Sequence, residues 1–250
     1  MIPLHDLNPS RRRPLVTVLL ILANAVLFVY ELTLGPELQP FLQQAALVPG
    51  RALGPGGPGV VGESASVLLS MFLHGGWAHF LGNMLFLWVF GDNVEDRLGH
   101  ARFVAFYLAC GYAAALAHML ASPGSMLPAI GASGAISGVL GAYLLLHPRA
   151  PVVTLIFLGF FFTTTRIPAF VYLPFWFLLQ LVSGVASLAA TSTSGGETGG
   201  VAWFAHIGGF VAGPLLLFLL GGFRKRPPGG VPPPTLAERR RVADLGRYRR

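Results

Sequence analysis

Long apolar runs constrain this chain more than any other feature of its sequence. A helix rises about 1.5 Å per residue, so about 20 apolar residues are needed to cross the hydrocarbon core of a bilayer. Five runs reach that length, at residues 15–34, 103–121, 130–147, 170–190 and 202–220. Only 11% of the residues are charged, less than half of what soluble domains carry. The sequence therefore predicts a polytopic membrane protein.

A sixth span is predicted inside the apolar run 67–90. His74-Gly75-Gly76 interrupts a helical pattern there, so the span is placed from the interfacial aromatic Trp77 to the polar break at Gly91-Asp92. The expected fold is all-α, a bundle of six transmembrane helices over residues 15–222. The first span follows three arginines, but its apolar run is too long for a signal peptide, which predicts an uncleaved anchor.

One apolar segment, residues 152–162, is too short to cross a bilayer. Thr163 to Arg166 and Pro168 end it, so it is expected to be an interfacial or re-entrant connection between the fourth and fifth spans. The single cysteine, Cys110, excludes a disulfide framework and is expected to behave as a small inert hydrophobe.

The basic residues predict the orientation of the spans. The net charge is +7, and all 17 lysines and arginines except Arg51 fall in segments on one side of the six-span arrangement. The positive-inside rule places that side, with both termini (residues 1–14 and 223–250), in the cytoplasm. Residues 223–250 are expected to form a Pro/Gly linker and an Arg-rich tail near anionic lipid, so the charge reports topology and no nucleic-acid partner is predicted.

Three spans that run inward from the outer face carry polar residues near their outer ends. They are His79 and Asn83 on the second span, Ser133 on the fourth and His206 on the sixth. Polar groups at that depth are costly unless they face the bundle interior or a wet cavity. A shared site near the outer face is therefore expected.

The residue types at this site favour acyl transfer. Ser133 has small neighbours at the start of a helix, where free backbone N–H groups can stabilise an oxyanion, and His206 can act as its general base. Pairs of glycines spaced by four allow the fourth and sixth spans to pack closely. They are Gly134 with Gly138, and Gly209 with Gly213. His79 and Asn83, also four apart, offer two further donors.

Three sequence motifs of this chain resemble those of a known protein family. HGGWAHFLGNM at residues 74–84, GASG at 131–134 and AHIGG at 205–209 resemble, in order and on the expected spans, the rhomboid family of intramembrane serine proteases. The resemblance covers about residues 15–222. It implies a catalytic dyad of Ser133 and His206, with His79 and Asn83 as oxyanion donors and neither cofactor nor metal. Glu95-Asp96-Arg97-Leu98-Gly99 is similar to a further structural segment of the family.

Two departures from the family pattern stand out. Some members carry a Trp-Arg pair in the first outer loop, whereas residues 35–66 hold Arg51 and no tryptophan. Some place an aromatic residue four positions after the nucleophile, whereas this chain has Ser137. Orientation of His206 must then come from another residue.

Most other polar residues are expected to have structural or interfacial roles. His74 either assists the oxyanion donors or sits at the interface, and Glu31 is expected to be interfacial. The remaining histidines match no motif and are expected to be structural or interfacial: His5, His100, His118 and His147.

The expected function is a serine endopeptidase of a bacterial plasma membrane that cleaves single-span membrane proteins near their outer ends. A catalytically silent binder of membrane proteins on the same fold is the alternative. A His-lined transporter or metal carrier is disfavoured, because the chain shows neither mirrored halves nor a His-Glu-x-x-His signature.

Overall fold

The structure is a computed structural model that describes residues 1–159, 161–194 and 202–223. For residues 183–194 the description is limited to the backbone. The predicted Arg-rich tail, from residue 224 onward, lies outside the described residues.

Helices dominate the described part of the chain, and six long ones correspond to the six predicted spans. The long helices are α1 (Leu15–Thr33), α6 (Trp77–Leu98), α7 (His100–Ala121), α8 (Ser133–Leu146), α9 (Ala169–Ser194) and α10 (Trp203–Leu219). Four short helices and one 3-10 turn (Gly35–Glu37) lie between α1 and α6: α2 (Leu38–Ala45), α3 (Pro49–Leu53), α4 (Gly59–Gly62) and α5 (Ser64–Ser70).

Two of the described helices, α1 and α7, are long and apolar enough on length and composition alone to cross a membrane. Helices α8 and α10 and the segment Ala169–Val182 of α9 are apolar but shorter. The count of six spans therefore stays a prediction.

A three-stranded antiparallel sheet corrects the expectation of an all-α fold. Its strands are β1 (Ile2–Asp6), β2 (Pro151–Leu158) and β3 (Phe161–Pro168), in the order β1-β2-β3. Residues 152–158 thus belong to β2 and residues 161 and 162 to β3, so the expected interfacial or re-entrant connection is built of paired strands. The strands are rich in β-branched and aromatic residues, which suit a pleated surface, and Gly159 after β2 takes a positive φ of 67°.

Helix α6 continues for two more turns beyond the predicted end of the second span at Gly91-Asp92, to Leu98. The buried Glu95 explains the extension. Its carboxylate accepts hydrogen bonds from the backbone N–H groups of Val16 at 2.8 Å and Thr17 at 2.7 Å. These are free donors in the first turn of α1, so the polar end of α6 caps α1.

Helix α8 is the centre of the bundle, with every residue from Gly134 to Tyr143 buried. The expected close packing of α8 on α10 through glycines is confirmed. A Cβ atom on Gly209 would overlap the carbonyl oxygen of Gly134, and one on Gly213 would overlap that of Gly138. At these two positions the backbones of α8 and α10 are in direct contact.

The segment between α1 and α6 is ordered by two buried carboxylates. The Arg51 guanidinium bonds Glu63 at 2.9 Å, and this hydrogen bond lowers the pKa of the Glu63 carboxyl. Glu31 was expected at the interface, but it is 1% exposed. It accepts the backbone N–H of His74 at 2.9 Å, because the turn before α6 leaves that donor without a backbone partner.

Candidate active site

Ser133 is the first residue of α8, and a strained glycine places it there. Gly131 has a φ of 121°, a conformation that favours glycine, and its N–H donates to the carbonyl of Ser70 at 2.9 Å. A Cβ atom on Gly131 would also lie 2.5 Å from Nε2 of His79. Glycine is therefore required at this position for both conformation and space.

His206 lies in the first turn of α10 and faces Ser133. Its Nε2 is 2.7 Å from Oγ of Ser133, a hydrogen-bond distance. The side chain is buried, with 6% of its surface exposed. The two residues are 73 positions apart in the chain, and the glycine contacts of α8 with α10 bring them together.

Three residues that sequence reasoning missed surround the imidazole of His206. Gln180 of α9 places its Oε1 2.8 Å from Nδ1. The rings of Trp176 and Trp203 lie with their centroids 6.0 Å from the imidazole. Gln180 could have been found, because an amide in the middle of an apolar span is costly unless it faces the bundle interior.

Ser137 takes the position at which some members of the resembled family carry an aromatic ring. It is fully buried, and its hydroxyl donates to the carbonyl of Ser133 at 2.7 Å. A Cβ atom on Gly209 would approach the Cβ of Ser137 to 3.3 Å. A larger side chain would therefore hold α10 away from α8, so a small residue here accompanies the close packing of the two helices.

His79 and Asn83 lie one turn apart on α6. His79 Nε2 lies close to the position that a Cβ atom on Gly131 would occupy. The His79 ring is therefore next to the backbone that precedes Ser133. Asn83 is buried, and among the described residues its Nδ2 has no hydrogen-bond partner. An unpaired buried amide is costly, so Asn83 Nδ2 is a donor that has no acceptor among the described residues.

His74 lies just before α6, with its ring centroid 5.2 Å from that of His79. Its Nδ1 faces the carbonyl of Phe72 at 3.3 Å. A carbonyl only accepts, so Nδ1 carries the hydrogen and Nε2 presents a lone pair. Burial, followed by the neighbouring His79, lowers the pKa of His74 to about 4, which keeps this imidazole neutral at pH 7.

The arrangement can perform nucleophilic chemistry. A hydroxyl is bonded to an imidazole, the imidazole is held from its other side, and a helix N-terminus with free N–H groups adjoins the hydroxyl. Among the residues that the structure describes, no three histidine, cysteine, aspartate or glutamate side chains form a group that could hold a metal ion.

Comparison with known proteins gives a family match over most of this bundle. The Rhomboid domain family model matches residues 61–223. The chain is similar to Rhomboid protease GluP of Bacillus subtilis, with 45% identity over 83 residues that make up 33% of this chain and 16% of the relative. It is also similar to Rhomboid protein 1, mitochondrial, of Saccharomyces cerevisiae, with 35% identity over 39% of this chain and 29% of the relative.

A longer match is RHOMBOID-like protein 4 of Arabidopsis thaliana, 33% identical over 162 residues, or 64% of this chain and 35% of the relative. The chain thus spans about a third or less of the length of these three relatives.

Proposed function

This chain belongs to the rhomboid family, and on that premise we propose that it is an intramembrane serine endopeptidase with Ser133 as nucleophile and His206 as general base. The observation that carries the proposal is the 2.7 Å contact between Ser133 Oγ and His206 Nε2 at the buried start of α8. A catalytically silent binder of membrane proteins would not need this contact.

The proposed reaction proceeds through an acyl-enzyme that water then hydrolyses. Ser133 Oγ bonds to the carbonyl carbon of the scissile peptide while its proton passes to His206 Nε2. The carbonyl oxygen becomes an oxyanion, and the tetrahedral intermediate collapses as the peptide C–N bond breaks. His206 gives its proton to the leaving amine. Water then attacks the ester with His206 again as base, which releases the new carboxyl end and restores Ser133.

Three groups are proposed to hold the oxyanion. The N–H of Ser133 belongs to the first turn of α8, which has no intrahelical acceptor. His79 and the unpaired Nδ2 of Asn83 supply side-chain donors from α6. His74, which presents a lone pair at Nε2, supports His79 through ring contact and does not donate itself.

The membrane arrangement is part of the proposal. The six long helices cross the bilayer of a bacterial plasma membrane with both termini in the cytoplasm, as the position of Arg51 apart from all other basic residues indicates. The end of the bundle that carries Ser133 then faces outward, and the basic tail lies near anionic lipid.

Substrates are single-span membrane proteins cut near the outer end of the span. A transmembrane helix keeps its carbonyls hydrogen-bonded internally, so the nucleophile reaches one only where the segment unwinds. Small or helix-weakening residues near the outer end of the span therefore favour cleavage.

A mutant cycle in proteoliposomes tests the proposed dyad. Ser133→Ala, His206→Ala and the double variant are compared for cleavage of a single-span substrate. Each single substitution should abolish cleavage, and the double variant should lose little more, because the two groups act as one unit. Ser137→Ala is the matched control, since it removes a buried hydroxyl one turn along the same helix. Additive losses, or cleavage by Ser133→Ala, would refute the dyad.

A further inference from the structure

We infer that Gln180 is a positioning residue that fixes the tautomer and the orientation of His206. The inference rests on the proposed function, because it explains how His206 is prepared to act as the base for Ser133. Gln180 bonds the imidazole of His206 on the side opposite Ser133, so it acts through the imidazole.

Gln180 is the inward-facing residue of its turn of α9. Its neighbours Leu179 and Leu181 are 49% and 40% exposed, whereas Gln180 is 9% exposed. An amide buried in an apolar helix needs a hydrogen-bond partner. The partner is Nδ1 of His206, at 2.8 Å.

The two hydrogen bonds of His206 lie on opposite ring nitrogens and determine the position of the hydrogen. Gln180 Oε1 only accepts, so Nδ1 of the neutral ring must carry the hydrogen. Nε2 is then bare and accepts from the Ser133 hydroxyl at 2.7 Å. Without the amide, the ring could place its hydrogen on Nε2, where it would block proton transfer from Ser133.

The amide also gives His206 a neutral hydrogen-bond partner in place of a charged one. Among the described residues, the titratable groups that act on the imidazole of His206 are two other histidines, His79 of α6 and His118 of α7. Its hydrogen-bond partners Ser133 and Gln180 are neutral. The imidazolium that forms when Ser133 loses its proton is therefore held by a dipole. A carboxylate at position 180 would stabilise that cation more strongly.

The tautomer is measured directly on the unmodified protein. Nitrogen-15 NMR of histidine-labelled protein in micelles, with the His206 signals identified by their loss in His206→Ala, separates protonated from bare ring nitrogens. The inference predicts a hydrogen on Nδ1 and a bare Nε2 at a pH where the ring is neutral. A hydrogen on Nε2 would overturn it, whatever the behaviour of variants.

Kinetics of two substitutions separate positioning from mere packing. Gln180→Met keeps the length of the side chain and removes the acceptor, and should lower kcat by about 10- to 100-fold with KM nearly unchanged. Gln180→Glu restores an acceptor oxygen, so it should recover most of the rate and move the acid limb of the pH–rate profile to higher pH. Equal rates for wild type and Gln180→Met, or no recovery and no pH shift in Gln180→Glu, would contradict the inference.

Asn24→Leu is the matched control, because Asn24 is also a buried amide within a long helix, and it donates to Leu20 of its own helix. Its kcat should stay near the wild-type value. Labelling of Ser133 by a fluorophosphonate distinguishes failure of the proposed function from failure of the role inferred for Gln180. Unlabelled wild-type protein would refute the proposed function, whereas equal labelling rates for wild type and Gln180→Met would refute only the role of Gln180.

Discussion

Substitution of Gly209 by alanine tests the packing that aligns Ser133 with His206. The new Cβ atom would overlap the carbonyl oxygen of Gly134 and lie 3.0 Å from its carbonyl carbon. Ordinary contacts between carbon atoms begin at about 3.5 Å. Because the obstructing atoms belong to the backbone of α8, no side chain can turn away, and the helices must separate by about 1 Å.

Separation of α8 from α10 lengthens the distance between Ser133 Oγ and His206 Nε2. Gly134 follows Ser133, and Gly209 is three residues from His206, so the shift carries over to the 2.7 Å contact. A distance of about 3.7 Å exceeds hydrogen-bond range, and a misplacement of this size costs about 10²-fold in rate. Overpacking costs about 1 to 3 kcal/mol, offset by about 1 kcal/mol because alanine is the better helix former. Activity should therefore fall much further than stability.

The assay compares cleavage rates in proteoliposomes with thermal unfolding in detergent. Gly82→Ala is the control, since it is the same substitution on α6 at a position with open space around it. A cleavage rate near wild type in Gly209→Ala, or an equal loss in Gly82→Ala, would refute the argument that glycine contact sets the geometry of the site.

Three further predictions concern stability, topology and substrate. Burial raises the pKa of Asp6 to about 6 from 3.8, so the folded state holds this proton more tightly and stability should fall as pH rises from about 4 to 6. Melting curves of Asp6→Asn should lack this fall, and an unchanged pH dependence would contradict the prediction. Cysteines at Val61, which is 86% exposed, and at Gly230 in the tail should react with an impermeant thiol reagent from outside and inside respectively; an outward-facing tail would refute the orientation. A Gly-Ala-Ser patch moved through a substrate span by one helical turn at a time should support cleavage only at the outer end, and equal cutting at the cytoplasmic end would contradict the assigned depth.

The sequence predicted the long helices and the central contact of the site because both follow from strong local signals. Apolar runs define the long helices, and Ser133 and His206 each lie in a small-residue motif at a helix start. Glycine spacing then indicated how α8 and α10 approach each other. Each of these features depends on the identity of residues within one or two turns of a helix.

Features that depend on distant partners were missed. The short run 152–162 has the composition of either a buried segment or a strand, and antiparallel pairing of β2 with β1 and with β3 makes residues 152–158 part of a sheet. Glu31 was expected at the interface, but its partner is the backbone of the turn at His74. The sequence shows Gln180 as an amide within an apolar span, but its partner, His206, lies on another helix, so its role could not be predicted from α9 alone.

The most direct test of catalysis by Ser133 and His206 is covalent labelling of the purified protein with a serine-directed fluorophosphonate, followed by mass-spectrometric mapping. We expect a single adduct on Ser133 Oγ in the wild type and none in His206→Ala, because the hydroxyl reacts only while His206 accepts its proton. An adduct on another serine, or undiminished labelling of Ser133 in His206→Ala, would contradict the mechanism.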